Sequence, residues 1–414
     1  MPDLIAADFF AGAGGLSLGF GQAGYRMVFA NELWPEYATT YQQNHQDTTV
    51  FQSDIKQLTA KDIFRATGLT RNDLDILIGG PPCQGFSINA PTRNIEDDRN
   101  QLFRHYGRLV LEGLRPKVVV MENVPGLLSL DHGQFVKDIY RLFESAGYRM
   151  QHMVLCAAHY GVPQERWRLF FIGTILDREI SFPEPTHYAP VRANFTGGRS
   201  LTWLPMISNG THAPSLFDQF LKPFTTVHDA ISDLPPLGIH EGAEEAKYTA
   251  TARGEYQRLM RRDSRVLTNH VAGMLSPQNL RRLQHIPAGG SWRDIPHRLL
   301  PAGMQRARRS DHTRRYGRLD PQGLSGTILT KCDPHWGTFF HYEQDRTLTV
   351  REAARLQSFP DRYRFTGSRV SQYEQVGNAV PPLLAQALAH HINRTFFDRT
   401  DDVADDLLTR LGAA

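Results

Sequence analysis

The chain has 414 residues, 41% of them hydrophobic and 21% charged, which is the balance of a globular protein with core enough for two or three domains. No stretch approaches the roughly 20 consecutive apolar residues that span a bilayer, and no basic segment precedes an apolar signal region, so membrane attachment and export are not expected. The net charge of +3 is unremarkable in size, and the three cysteines (Cys83, Cys156, Cys332) are far apart and odd in number, which argues against a disulfide framework and for a reducing cytoplasm.

Leu4–Phe10 reads as a short apolar strand, followed by the turn Ala11-Gly12-Ala13-Gly14-Gly15 and a helical stretch, Leu16–Ala23. Strand, glycine loop and helix is an architecture that binds the adenosine end of a cofactor at a helix N-terminus. The dinucleotide fingerprint G-x-G-x-x-G is not met, because Ser17 stands where its third glycine belongs. A second strand, Met27–Ala30, runs into Asn31-Glu32, and an acid at that offset suits the hydroxyls of a ribose. A third starts at Val50–Phe51 and ends at Asp54, whose carboxylate could accept from an adenine amino group. Either acid alone reads as a surface charge. As a pair at successive strand ends they point to a nucleoside.

The apolar run Leu74–Ile78 leads into Gly79-Gly80-Pro81-Pro82-Cys83-Gln84-Gly85-Phe86-Ser87. Two glycines let the backbone turn and two prolines fix φ just before the thiol. A free cysteine is more often an inert small hydrophobe. Here the polar loop around Cys83 reverses that reading and makes it the reacting group. Residues 85–100 hold few apolar side chains and read as a lid anchored beside the thiol. A helix over Leu102–Leu114 precedes the most apolar strand of the chain, Lys117–Met121, which delivers Glu122. An acid at the carboxyl end of a buried strand is either a cap or salt-bridge partner, or a carboxyl that works on the substrate. Phe135–Ala146 is expected as a helix, and Met153–Ala157 and Leu169–Gly173 as strands. Gln164, Arg166 and Arg168 alternate before the last of these, so an extended backbone puts them on one face.

Beyond Arg178 the periodicity degrades. Residues 251–320 hold 15 Arg, no Lys and 5 acids, a balance of +10 that leaves −7 for the rest of the chain. A charge run ordinarily marks a solvated face, but so one-sided a block beside an acidic remainder points to a polyanion. Arginine without lysine favours bidentate contacts to phosphates or guanine edges. Gly289–Arg293 and Lys331–Thr338 read as exposed loops. Regular structure returns at Thr349–Gln357, a helix entered at Thr349 with Glu352 at the capping-box spacing. Gln375–Pro382 then opens a closing helix, Leu383–Phe396. The expected division is a catalytic and cofactor-binding domain over 1–184, a recognition domain over 185–344, and a segment over 345–414 that returns to the first.

Several chemistries are excluded. A zinc deaminase needs H-x-E and P-C-x-x-C, but Phe86 stands at the second cysteine and no metal-ligand spacing is found, so no metal is expected. No Walker loop is present. Taken together, Asp8–Gly15, Pro81-Pro82-Cys83-Gln84, Glu122-Asn123-Val124, Gln164-x-Arg166-x-Arg168, Arg351-Glu352-x-x-Arg355-Leu356-Gln357-x-Phe359-Pro360 and Gly377-Asn378-Ala379-Val380-Pro381 resemble the cytosine-C5 DNA methyltransferase family of bacterial restriction-modification type. Six blocks in order, from residue 8 to 382, carry the resemblance.

The resemblance implies an α/β fold, a doubly wound and mostly parallel sheet of the Rossmann-like S-adenosylmethionine-dependent kind, with a smaller irregular target-recognition domain. It implies Cys83 as nucleophile at cytosine C6, Glu122 as the acid near N3, and Arg168 with Arg166 as the cations at the intermediate. A cofactor site follows by similarity: Phe10, Ala11, Gly12, Gly14, Gly15, Leu16, Glu32, Leu33, Asp54, Ile55, Pro82, Leu102, Asn378 and Ala379. Duplex DNA, from which the target cytosine must be flipped, would meet Gln84, Ser87 and Arg93 in the loop. In the arginine block it would meet Arg293, Arg306, Arg308, Arg309, Arg314 and Arg315. A monomer is expected, with any cognate restriction endonuclease acting separately. An RNA-modifying relative would carry a Cys-Phe-Thr element, whereas Cys332 is followed by Asp333. A silent DNA-binding regulator would lack the thiol or the acid, and a nicotinamide dehydrogenase would need a hydride-transfer constellation that is absent.

Overall fold

Seven strands form the central sheet of the computed structural model, which describes residues 3–82, 102–191, 221–311 and 314–399. They are β1 (Leu4–Phe9), β2 (Tyr25–Glu32), β3 (Thr49–Gln52), β4 (Ile76–Gly79), β5 (Val118–Asn123), β6 (Arg149–Cys156) and β7 (Trp167–Thr174). Their spatial order is β3-β2-β1-β4-β5-β7-β6. The first five run parallel, and β7 is antiparallel to both of its neighbours. The expected doubly wound, mostly parallel sheet is therefore the fold.

Period-two alternation divides the sheet between two cores. Ala7, Phe9, Phe29, Leu77, Val119 and Met121 face one side. There they meet α3 (Ala60–Thr67), α4 (Leu102–Leu109) and α5 (Gln134–Glu144) through Ile63, Phe103, Tyr106, Leu109, Ile139 and Phe143. Leu4, Ala6, Met27, Ile76, Ile78, Val118 and Val120 face the other. They are covered by α1 (Gly15–Gln22) and by α11 (Pro382–Phe397), which supplies Leu384, Leu388, Ile392 and Phe396. Strands apolar on both faces are what a parallel sheet sandwiched by helices requires. The contact between α1 and α11 is backbone-close. A side chain at Gly15 would meet the Val380 carbonyl, and one at Gly19 would meet Ala385 and the Pro382 carbonyl.

Residues 221–376 form two further cores. The first joins α6 (Val227–Ile231), α7 (Glu255–Arg261) and β11 (Leu267–Val271) to α9 (Val350–Leu356) and Phe359–Phe365. β11 pairs antiparallel with β10 (Gly242–Ala246). The second gathers α8 (Pro277–Leu283), Trp292, Ile295, Met304 and Tyr316. It lies beside the short pair β12 (Gly317–Arg318) and β13 (Thr338–Phe340). Segment 185–344 thus contributes to a core of its own and to one shared with 345–376. The remaining elements are α2 (Pro35–Asn44), α10 (Arg369–Asn378) and the two-residue pair β8 (His187–Tyr188) and β9 (Lys222–Pro223).

The capping box at α9 forms as its spacing predicts. Thr349 N–H donates to Glu352 Oε2 at 2.8 Å, and Glu352 N–H donates to Thr349 Oγ1 at 3.1 Å. The helix expected over Leu102–Leu114 is α-helical only to Leu109 and continues as a π turn to Leu114. Among the described residues no helix is long and apolar enough to cross a membrane.

Candidate active site

Strand order reverses between β1 and β4, and in open α/β sheets ligands bind outside the carboxyl ends of the strands at such a point. The glycine loop leaves β1 there. Phe10 and Gly12 take positive φ (59° and 56°), and Gly14, at φ 86°, caps the N-terminus of α1. Gly14 is obligatory for a second reason. A Cβ on it would lie 2.7 Å from Tyr363 Oη, 2.8 Å from His45 Nε2 and 2.9 Å from the Tyr41 ring. These three side chains clamp the loop from behind. The Tyr363 hydroxyl donates to the Ala13 carbonyl, and the Tyr41 hydroxyl donates to Ser17 Oγ, which donates to Asp8 Oδ2. Burial pushes the Asp8 carboxyl up to about 7, the Ser17 hydrogen bond opposing it. Burial also lowers His45 to about 4, so its ring is neutral.

Glu32, at the end of β2, accepts from the N–H groups of Gly12 and Trp34, each at 2.8 Å. It thereby ties the glycine loop to the next strand end. Burial raises its carboxyl above the ordinary range, against those backbone hydrogen bonds. Leu33 and Trp34 beside it are 51% and 61% exposed, an unusual position for two large apolar side chains. Asn31 Nδ2 donates to the carbonyls of Phe51 and Ser53 and so sets the turn that carries Asp54. Asp54 is half-buried, its carboxylate accepting from Lys56 N–H. Asn378 is exposed where α10 ends. Leu16 and Ile55, by contrast, sit in the hydrophobic cores.

The second group lies at the ends of β4, β5 and β7. Gly79 must be glycine, since a Cβ would lie 2.7 Å from the Phe9 carbonyl and 2.8 Å from the Tyr106 ring. Asn123 Nδ2 donates to the Pro81 carbonyl at 3.1 Å and pins the start of the loop after β4. Glu122 pairs through Oε1 with Arg168 Nε at 2.9 Å, both side chains 13% exposed. Its other oxygen, Oε2, faces Gly80 across 3.0 Å from where a Cβ would stand. Burial raises the Glu122 carboxyl, with Arg168 and then Arg166 opposing the shift. Cys83, Gln84, Ser87 and Arg93 lie outside the described residues.

Arg166 and Arg168 diverge in what they touch. Arg166 is fully buried and donates to the carbonyls of Ile328, Gly377 and Ala379 at 2.7–3.1 Å. Gln164 is equally committed, its amide bridging Leu356 O, the Gln357 side chain and Ile328 N–H. Arg168 alone of the three reaches Glu122 with a hydrogen bond. The arginine block is also mixed. Arg282 is buried on Leu299 O, Arg318 binds Asp345 and Ile286 O, and Arg261 pairs with Asp233. Arg306, Arg308 and Arg309 are exposed, as is Arg314, which pairs with Glu165. Arg293 and Arg309 exchange side chain-to-carbonyl hydrogen bonds, and Arg315 stacks on Trp336. Asn123 and the clamp of Tyr41, His45 and Tyr363 had no separate signal in the sequence, because each works through contacts distant along the chain.

Comparison with known proteins agrees with this arrangement. The family model for C-5 cytosine-specific DNA methylase matches residues 5–394. The Type II methyltransferase M.AgeI of Thalassovita gelatinovora is 35% identical over 93% of this chain and 98% of its own length. The Type II methyltransferase M.DdeI of Desulfomicrobium norvegicum is 36% identical over 94% of this chain and 88% of its own. Among solved structures, one described as a DNA modification methyltransferase encoded within an E. coli prophage superposes with a TM-score of 0.68 at 26% identity, covering 95% of this chain and 99% of that one. With its glycine loop and its Glu122–Arg168 pair at the carboxyl ends of such a sheet, the chain belongs to the C-5 cytosine-specific DNA methylase family and is a DNA cytosine-5 methyltransferase.

Proposed function

We propose that the protein methylates C5 of a cytosine flipped out of a specific duplex DNA sequence, through a covalent bond between Cys83 and C6 of the base. The observation that carries this reading is the Glu122 carboxyl. It is held at 2.9 Å by Arg168, and its second oxygen faces the backbone of Gly80, three residues before Cys83.

C5 of cytosine is a weak nucleophile while the ring is conjugated. Addition of the Cys83 thiolate at C6 converts N4–C4–C5 to an enamine as electron density moves toward N3. Glu122, whose proton affinity is raised by burial, donates a proton there. Arg168 orients that carboxyl and supplies positive charge next to the thiolate and the anionic ring. Arg166 acts one layer behind, holding the Ile328 and Gly377–Ala379 backbones on which the site rests. Once C5 carries the methyl group, its proton passes to solvent water, β-elimination returns Cys83 to the thiolate, and the N3 proton returns to Glu122.

S-adenosylmethionine, when bound, supplies the electrophilic methyl group. The residues at the switch point fit it. Glu32 would accept from the ribose hydroxyls and Asp54 from an adenine amino group, and the exposed Leu33 and Trp34 would offer apolar surface to the base. Phe10, Ala11, Gly12, Gly14, Gly15, Pro82, Leu102, Asn378 and Ala379 complete the site in this reading, with Leu16 and Ile55 supporting it from the cores.

The experiment is trapping. Bisulfite sequencing of DNA from cells expressing the chain identifies the methylated site, and duplexes with 5-fluorocytosine at that position block the release step. The wild type is expected to form a denaturant-resistant adduct mapping to Cys83. Cys83→Ala is expected to bind the duplex without adduct or methyl transfer. Residual turnover within about tenfold of the parent, against the much larger loss that removal of a covalent nucleophile entails, overturns the assignment.

A further inference from the structure

Trp336 is 56% exposed, yet its position is built. The Arg315 guanidinium lies 4.7 Å from its ring centroid, and His335 meets it edge-on at 5.0 Å and 85°. Tyr316, buried in the core around Trp292, meets His335 edge-on at 5.7 Å in turn. Arg282 lies 5.5 Å from the Tyr316 ring. Three rings in succession, flanked by an arginine at each end, thus run from the core to the surface and end on the indole.

The backbone is pinned as well. Tyr316 N–H donates to Pro334 O at 2.7 Å, and Gly317 N–H donates to Gly337 O at 3.1 Å. The turn is closed by Trp336 N–H on Asp333 O at 3.0 Å and by His335 N–H on Asp333 Oδ1 at 2.9 Å. A large flat side chain held this way loses little conformational freedom on meeting a partner.

Its surroundings identify the partner. Arg306, Arg308, Arg309 and Arg314 are exposed in the segment that leads into Arg315, a run of cations suited to a polyanion. Arg314 also pairs at 2.7 Å with Glu165, three residues before Arg168. The segment that carries Arg315 is thereby fastened just before β7, the strand that holds Arg168. Positive charge that tracks phosphates, combined with an aromatic face, is how proteins bind unstacked bases.

Resting on the methyltransferase reading above, we propose that Trp336 stacks on a nucleobase of the bound duplex, at or beside the step from which the target cytosine leaves. Arg315 supports the ring from its other face. Trp336 lies outside the six sequence blocks that carry the chemistry.

The test uses the full chain and a duplex carrying the site found by bisulfite sequencing. W336A is expected to weaken binding by about 5- to 150-fold, the range that base–aromatic stacking spans, with its melting temperature unchanged. W336F should retain most of the affinity. Quenching of tryptophan emission by the duplex should be large in the wild type and mostly lost in W336F, a readout that a structural role would not move. Binding by W336A within about twofold of the parent, below the stacking range, overturns the proposal, as does quenching that persists in W336F. So does self-association lost in W336A while DNA binding is kept, which would make the ring a protein contact. A wild type that neither binds nor methylates any duplex defeats the methyltransferase reading itself, and this proposal with it.

Discussion

Two arginine–carboxylate clusters in this protein look alike on paper and are held in opposite electrostatic states. At the junction of 221–271 with 345–376, Arg346 grips both oxygens of Glu352 at 2.7 and 2.8 Å, and Arg355 binds Asp361 and Asp233. Arg351 donates to the carbonyls of Thr268, Pro360 and Tyr363. In that junction the arginines win over burial and hold Glu352 and Asp361 below the ordinary carboxylate range. At the sheet edge burial wins instead. Asp8, Glu32 and Glu122 are all raised, although Glu122 has an arginine of its own. The difference is coordination. Glu352 has both oxygens bound by one guanidinium, whereas Glu122 shares one oxygen with Arg168 and keeps the other turned to the loop of Cys83. A saturated pair holds structure together, whereas burial raises the carboxyl of the unsaturated one, which is the direction the proposed general acid requires.

Substitutions sharpen this contrast, beginning with the largest effect. Glu122→Gln is expected to lower single-turnover methyl transfer by roughly 10²–10⁴, the range for loss of a general acid, with little change in melting temperature. An unchanged rate assigns the proton to another group. Arg355→Ala should do the reverse. Removing the shared partner leaves Asp361 with Tyr248 and Arg351 and Asp233 with Arg261, at about 3–5 kcal/mol of stability by urea denaturation. Loss of under about 1 kcal/mol would put the junction in the class of surface pairs.

Asp8 gives the pH test. Burial holds its folded pKa at about 7, above the ordinary carboxylate value of 3.8, so the folded state binds the proton more tightly than the unfolded one. Its contribution to stability is complete below about pH 4 and is lost as pH rises through 7, by up to about 4 kcal/mol. Asp8→Asn should flatten the wild-type decline between those values. Parallel stability profiles for the two proteins contradict the shift. The smallest effect is at the surface. Replacing Arg306, Arg308 and Arg309 together should reduce the slope of log affinity against log salt by about 0.9 per phosphate contact removed. An unaltered slope shows that these arginines face solvent.

How much of this could be read from the sequence depended on the range of the contacts involved. Each strand of the sheet declared itself by an apolar run, and Glu122 by its place at the end of one. The Thr349–Glu352 cap is a four-residue signal, and it formed. Arg166 and Arg168 could not be told apart, because alternation gives both the same face while the acceptors of Arg166 lie 162 to 213 residues away. For the same reason Arg351 and Arg355, quoted for their spacing alone, turned out to be buried struts. α7 and α10 went unread because both are polar over most of their length and owe their helicity to tertiary packing. Within the arginine block, composition could not separate Arg282 and Arg318, which brace the fold, from Arg306 and Arg308, which do not.

The packing of Val380 against Gly15 and of α11 against Gly19 has a consequence for how the protein is made. In chain order the glycine loop precedes this backing helix by some 360 residues, so the loop is made long before the helix that covers α1. Until that helix docks, the face of α1 that leads into the loop is bare. A nascent chain therefore holds its strands before its glycine loop is backed, and competence to modify DNA waits on the docking of α11.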